Sequence, residues 1–466
     1  MTDQQQQKRQ KITNSCSQTG NESGGPEEVG DQESGIEGFP VEVIGNILSH
    51  VANVKDVVRA SWTCRKWRVA LRHYLHTLHT LQHHESKFLP AFQRSRTEQL
   101  EFLLTDTLLQ TMRLQSLHIL HMTKFSATAV IAWLLHTGDS IRHLTYEVPM
   151  STLYVDMLER CGRMRCLESL HLRYATIRFT ADPTTQRFLC LLSLTLSNMI
   201  DVTTLQLQSL VSTCRKLESF SLATSVVTST DPQWTLNLTS SSLKSFFLDG
   251  MYFDSVKLET NLLKALRLRD SMFTNFKLQK GARLSSLRID NIMIVDDLDL
   301  GNSTNYFLDL EEMEVRRSCV NVWDVIDHVF SNPSSKLRKL ELIRRATTVC
   351  YPVLPLNLET IARLFPRLDR LHLSDEVLDI STTTAGNQLQ GPTIFEKLRF
   401  LELHCLRSHE AILLVIDGAL KRCPNLVQLV VACHNGSQFA LDFMTPFAKL
   451  VRQFSHVNIS FKSTVP

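Results

Sequence analysis

One spacing, Leu-x-x-Leu-x-Leu with any aliphatic residue or Phe allowed, recurs thirteen times between residues 114 and 431. Its copies start at Leu114, Ile141, Leu167, Leu191, Leu217, Leu243, Leu263, Leu284, Leu310, Leu337, Leu368, Leu398 and Leu426, in steps of 20 to 31 residues. A fixed period of this size constrains the architecture more than any local propensity does. In an extended segment alternate side chains point to opposite faces, so the last two apolar positions of each copy face one way together. A single copy cannot bury that row; stacking it on the next copy can, which makes a solenoid with a parallel sheet. Leu75, Leu78 and Thr80 read as an imperfect opening unit, and Phe454, Val457 and Ile459 as a closing one.

Segments 127–135, 154–160, 322–330, 358–364 and 411–420 carry helical periodicity and fall between copies, where they form the convex layer. Pro366 and Pro424 follow two of them as stop signals. Around Leu243 to Leu284 the steps shorten to 20 and 21 residues. That leaves no room for a ten-residue helix and two turns. Second alternating apolar sets appear instead, at Phe253, Val256 and Leu258, at Phe273, Phe276 and Leu278, and at Val295, Leu298 and Leu300. These are expected to pair as a short convex sheet.

Ahead of the repeats, residues 38–81 show three short helical patterns. The first has Pro40 at its start and apolar residues at Val43, Ile44, Ile47, Leu48 and Val51. The second enters through Asn53, a good N-cap, and carries Val54, Val57 and Val58. The third enters through Thr63 and carries Cys64, Trp67, Leu71 and Tyr74. About 40 residues bury too little to stand alone, so this unit needs a neighbour or a partner. Residues 1–37, rich in Gln, Gly, Ser and Glu, cannot repay their ordering entropy and are expected to be a disordered tail. The resulting division is 1–37 tail, 38–81 helical unit and 82–466 solenoid.

The helical unit resembles the F-box. The slots Phe39-Pro40-Val41-Glu42, Ile47-Leu48, Val57-Val58 and Cys64-Arg65-Lys66-Trp67 carry the resemblance. It departs from the family pattern at Phe39, where Leu is usual, and at Trp62-Thr63, where small aliphatic residues are commoner; Trp62 is expected to face the next domain. The resemblance implies docking on a Skp-family adaptor, and through it on a cullin, with Phe39, Pro40, Ile44, Leu48, Val57, Val58 and Trp67 facing the adaptor or holding the helices against it. With its irregular repeats the whole chain resembles the plant F-box/leucine-rich-repeat proteins. This implies an α/β fold, a small F-box followed by a curved leucine-rich-repeat solenoid. It also implies a substrate receptor of an SCF-type ubiquitin ligase, with a small-molecule-assisted receptor or a non-degradative scaffold as alternatives.

Composition excludes several other classes. A net charge of +3 argues against nucleic acid or an anionic membrane as partner. Eleven cysteines without a CxxC pair read as reduced thiols of the nucleus or cytoplasm. There is no signal-peptide pattern and no apolar run near the ~20 residues that span a bilayer. Phosphate-binding loops, zinc-finger spacings and HExxH are absent, so neither catalytic residues nor a cofactor are expected. The cluster His73, His76, His79, His83 and His84 has three-residue steps that suit a helix face, but only Cys64 nearby; an exposed junction is expected there rather than a metal site.

The positions between the inward leucines build the open face of the sheet. They begin small and neutral (Ser193, Thr195, Ser197, Ser219, Ser221) and turn charged at Arg267, Arg269, Arg288, Arg316, Arg370 and His372. Adjacent strands lie about 4.8 Å apart, so Arg267, Arg269 and Arg288 are expected to form one basic patch. Guanidinium forks suit carboxylate and phosphate, which makes these six residues the candidate site for an acidic or phosphorylated protein target. The competing expectation is a solvated face whose charges pair across strands, as Glu314 and Arg316 would. Insertions 344–355 and 375–392 follow the later strands and are placed to fold over that end.

Overall fold

The computed structural model describes residues 38–81, 90–120, 125–148, 157–174, 188–199, 202–224, 234–279, 281–299, 306–317, 326, 329–343, 356–378, 393–405, 409–434 and 441–464. The expected tail 1–37, His83, His84, insertion 344–355 and most of insertion 375–392 lie outside them. The chain divides into residues 1–40 and 41–466. Of the first part, residues 38–40 are exposed. Apart from Phe39 and Pro40, everything below belongs to the second.

It opens with α1 (Val41–Ser49), α2 (Val54–Thr63) and α3 (Arg65–Tyr74), followed by strand β1 (Thr77–Leu81) and the long helix α4 (Pro90–Gln110). The Asn53 side chain accepts from the Lys55 backbone N–H, the N-cap its sequence calls for. The repeats then give β2 (Ser116–Leu120), β3 (His143–Glu147), β4 (Ser169–Arg173), β5 (Ser193–Ser197) and β6 (Ser219–Ala223). The short-step region contributes β7 (Thr235–Thr239), β8 (Ser245–Asp249), β9 (Tyr252–Glu259), β10 (Ala265–Arg269), β11 (Met272–Leu278), β12 (Ser286–Asp290) and β13 (Met293–Asp299). Last come β14 (Glu312–Arg316), β15 (Lys339–Ile343), β16 (Arg370–Ser374), β17 (Phe400–Cys405), β18 (Gln428–His434) and β19 (Asn458–Thr464).

Fifteen of these strands form one parallel sheet in chain order, from β1 to β19, with β7, β9, β11 and β13 left out. Those four pair as the second, convex sheet, in the order β13-β11-β9-β7. Strands β9 and β11 bury the second apolar sets read from the sequence; in β13 Ile294 is buried in place of the expected Val295, which is exposed, and Leu300 lies outside the described residues. Strand β7 is an addition. Elsewhere the convex layer holds α5 (Ala127–Thr137), α6 (Met157–Gly162), α7 (Thr204–Thr213), α8 (Leu358–Leu364) and α10 (His409–Arg422), with the four-residue α9 (Asp375–Leu378) after β16 and α11 (Leu441–Gln453) before β19. The expected helix at 322–330 falls mostly outside the described residues; 326 and 329–331 are helical. Both expected end units, β1 and β19, are strands of the long sheet.

In most concave strands the second and fourth residues are buried and the first, third and fifth look outward. One apolar core runs without a break from Ile44 and Leu48 of α1, through Leu104 of α4, to Leu429 and Val457 at the far end. The helical unit therefore has the neighbour its size demands. The α2 helix packs on β1 and on α4, and α4 packs on α5. Ser49, buried at the end of α1, donates to the Gly45 carbonyl and accepts from the His76 backbone N–H, tying the first helix to the first strand.

Leaving each strand requires an abrupt turn. Tyr174, Asn198, Thr224, Gly250, Asp270, Asn291 and Arg317, each the residue just past a concave strand, all have positive φ. A left-handed residue with a Cβ costs roughly 1–2 kcal/mol, least for Asn and Asp, and Gly, which has no Cβ, escapes this cost. The conformation aims its N–H at the next repeat: Tyr174 N–H donates to the Ser197 carbonyl, Asn198 to Ala223, Thr224 to Asp249, and so on to Arg317 and Ile343. Each turn thereby adds one more bond to the ladder, which offsets the local strain.

Candidate interaction surfaces

The helical unit presents two kinds of apolar residue. Ile44, Leu48, Val57 and Val58 point into the core, and Trp67 is half-buried against it. These five secure the helices. On the other side of α1, Val43 and Ile47 stand 40% and 41% exposed, one helical turn apart. Phe39 and Pro40, just ahead of α1 in the sequence, are exposed as well. Their pattern was legible: a short helix apolar at 43, 44, 47 and 48 is wider than one core-facing stripe needs. Trp62 is 67% exposed and lines a shallow cleft of about 200 Å³ with Leu71 and Arg68 of α3 and Asp106 and Gln110 of α4. It thus stands beside α4 without being buried by it.

Gly45 lets α1 approach α3. A Cβ there would overlap Tyr74 Cβ and sit 2.6 Å from the Tyr74 carbonyl oxygen. The same junction carries a hydrogen bond between Glu42 and Tyr74, which raises the tyrosine pKa.

Along the long sheet the central outward positions stack in one row: His79, His118, Thr145, His171, Thr195, Ser221, Phe247, Arg267, Arg288, Glu314, Glu341, His372 and Glu402. Its start is rich in histidine. The His79 and His118 rings stack 4.6 Å apart, and burial lowers the pKa of both. Among the described residues no group of three metal-ligating side chains comes together, and the five clustered histidines divide between α3, the turn before β1, β1 and residues outside the described set.

Arg267 and Arg288 are direct neighbours in register, as the repeat implies. The patch they belong to is largely neutralised. Arg269 is held by Asp249 at 2.5 Å, and that hydrogen bond raises its pKa. Arg288 reaches Glu312 at 2.9 Å and Glu314 at 3.7 Å. Arg316 bonds Glu341, which is only 1% exposed; burial works against the Arg316 charge, but this carboxylate raises its pKa overall. Lys339 completes the set beside Glu314 and Glu341. Arg370 lies 3.7 Å from Asp369. Further along, Glu402 accepts from His372 and His404, which hold its carboxyl well below the usual range, while the His372 ring stacks on Phe400.

Arg267 differs. Its guanidinium lies over the Phe247 ring, 4.9 Å from the centroid, and it pairs with no carboxylate among the described residues. The open face therefore combines a zone of small serines and threonines, one arginine on an aromatic platform, and a zone of internally compensated charge. Among the described residues no helix is long and apolar enough to cross a membrane.

Comparison with known proteins gives two matches. Residues 146–307 match the family model described as FBD-associated F-box protein At5g56370, LRR repeats. Over 433 residues, 91% of this chain and 99% of the relative, the sequence is 35% identical to F-box/LRR-repeat protein At1g67190 of Arabidopsis thaliana.

Proposed function

The chain belongs to the F-box/leucine-rich-repeat family, and from that premise we propose that it is the substrate-recognition subunit of an SCF-type cullin-RING ubiquitin ligase. In this reading the helical unit docks on a Skp-family adaptor and the open face of the long sheet holds the protein to be ubiquitinated. The protein contributes recognition and no bond chemistry.

The observation that carries the adaptor half is the pair Val43 and Ile47. An apolar i, i+4 pair left in water beside a fully formed core marks a surface kept for a partner. Phe39 and Pro40 extend the apolar stretch in sequence, and Trp67 packs against the core. Ile44, Leu48, Val57 and Val58 act indirectly, by fixing the helices that present the surface.

The target half rests on the candidate residues Arg267, Arg269, Arg288, Arg316, Arg370 and His372, of which Arg267 is the one most available to a new anion. Capture of a recombinant Skp-family adaptor by the full chain tests the first half. Val43→Asp with Ile47→Asp is expected to reduce capture at least tenfold while leaving the melting temperature within a few degrees of wild type. Undiminished capture would place the adaptor elsewhere. Ile44→Asp is the wrong probe, because a charge in the core unfolds the unit whatever it binds.

A further inference from the structure

Along the rim where the concave strands begin, several charges pair between repeats. Residues just ahead of the strands bridge neighbouring repeats: Arg142 pairs with Glu168 at 3.1 Å, Lys244 with Glu218 at 2.6 Å, and Asp309 with both Lys336 at 2.6 Å and Arg283 at 3.6 Å. At the entries to β15, β16 and β17 cations accumulate instead. Arg338, Arg367 and Lys397 form no ion pair among the described residues, and Asp369 alone serves Arg399 at 3.9 Å and Arg370 at 3.7 Å. Arg338, Arg367, Lys397, Asp369 and Arg399 line an open groove of about 860 Å³, continued by Glu396, Asn425 and Val427. Four cations (Arg338, Arg367, Lys397, Arg399) face two carboxylates (Asp369, Glu396), a surplus of two positive charges.

We propose that this groove is a docking site for an extended, Asp/Glu-rich segment of a partner protein. It lies on the strand-entry rim, apart from the open-face residues of the functional reading above, and does not depend on that reading. Three features select this occupant. The cations spread over three repeats, about 10 Å at 4.8 Å per strand, so no single small anion reaches them all. An extended peptide places alternate side chains about 6.8 Å apart on one side, which matches charges spread in this way. The floor is rigid, since Asp369, Arg399 and Val427 backbone N–H groups donate to Arg338, Asp369 and Arg399 carbonyls at 2.8–2.9 Å. Guanidinium groups held over a fixed floor bind carboxylates with less ordering cost than groups on a loop.

The test is fluorescence anisotropy with the purified full chain. The probe is a fluorescein-labelled peptide of alternating Glu and Gly with four glutamates; companions carry Gln in place of Glu, or two phosphoserines in place of the four glutamates. Wild type is expected to bind the Glu peptide and not the Gln peptide, with affinity falling as salt rises. Arg338→Glu with Arg399→Glu is expected to weaken it at least tenfold, and the milder Arg338→Gln with Arg399→Gln by a smaller factor. Arg165→Glu with Lys264→Glu changes the net charge equally, at exposed rim positions outside the groove, and is expected to leave binding intact. Equal loss in both charge-reversed variants reduces the effect to net charge and overturns the site. Binding of the phosphoserine peptide alone overturns the carboxylate assignment, and no binding of the Glu peptide overturns the proposal. Adaptor capture needs none of these residues, so failure here leaves the adaptor reading standing.

Discussion

Arg267 and Phe247 occupy the same position in neighbouring strands, and the guanidinium lies on the ring 4.9 Å from its centroid. At a partly exposed site this contact is worth about 0.5–1 kcal/mol, too little to matter for the fold of 466 residues. Its effect is to hold a cation flat against the sheet without neutralising it. If the open face holds the target in the way proposed, Arg267→Glu is expected to cut co-purification of that target about tenfold or more while adaptor capture and melting temperature stay as in wild type. Phe247→Leu, which keeps the charge and frees the side chain, is expected to fall between. Target recovery from cells with the proteasome blocked gives the comparison. Wild-type recovery by Arg267→Glu would remove this residue from the target surface.

How much of this was readable beforehand depends on the kind of interaction. The ladder of inward leucines repeats, so β2 to β18 of the long sheet follow from spacing alone. The convex strands follow from steps of 20 and 21 residues, too short for a helix. Helix α4 was readable and missed: Leu100, Leu104 and Leu108 recur every fourth residue and are buried along it. Charge pairing was not readable to the same degree. Arg269 finds Asp249 across 20 residues because β9 leaves the sheet and lets β8 and β10 meet, which requires the topology first. The split of Ile44 and Leu48 inward from Val43 and Ile47 outward likewise depends on α3 packing against α1 while β1 and α4 pack against α2.

The close approach of α1 to α3 predicts a sharp sensitivity at Gly45. Alanine in mid-helix normally gains up to about 1 kcal/mol over glycine. Here the added methyl meets Tyr74 Cβ and the Tyr74 backbone, which cannot step aside as a flexible side-chain end would. Overpacking of this kind costs about 1–3 kcal/mol, so the loss outweighs the gain. Gly45→Ala is expected to lower the melting temperature by a few degrees and to weaken adaptor capture with it. A stabilised variant would show that α1 and α3 separate at no cost.

Gly250 allows a cleaner division of backbone from side-chain strain. Its φ is +63°, and a Cβ there would sit 2.7 Å from Thr224 Cγ2 in the preceding repeat. Gly250→Ala is expected to lose roughly 2 kcal/mol, part from the left-handed backbone and part from that clash. Thr224→Ser removes Cγ2 but keeps the hydroxyl that contacts Asn198. In the double variant the clash is gone and only the backbone part remains, so denaturant melts are expected to show it more stable than Gly250→Ala combined additively with Thr224→Ser. Strict additivity would mean the two residues do not touch.

The stacked pair His79 and His118 makes the N-terminal end of the sheet acid-sensitive. Both rings are half-buried, and burial lowers their pKa below the ordinary 6.5; His50 adds to the effect on His79, and His79, His143 and His171 add to that on His118. His118 Nδ1 also meets Thr145 Oγ1 at 3.1 Å. In the unfolded chain both histidines return to about 6.5 and take up protons first as pH falls. Stability is thus fully present above that value and declines below it, until the folded rings protonate in turn. Glu402 acts in a separate, lower window: its carboxyl, held low by His372 and His404, loses its contribution only as pH falls below about 4.5. Melting temperature is expected to fall between pH 7.5 and 5.5, and to fall less in His79→Gln with His118→Gln. An identical drop in the double variant and the wild type would assign the acid sensitivity to other groups.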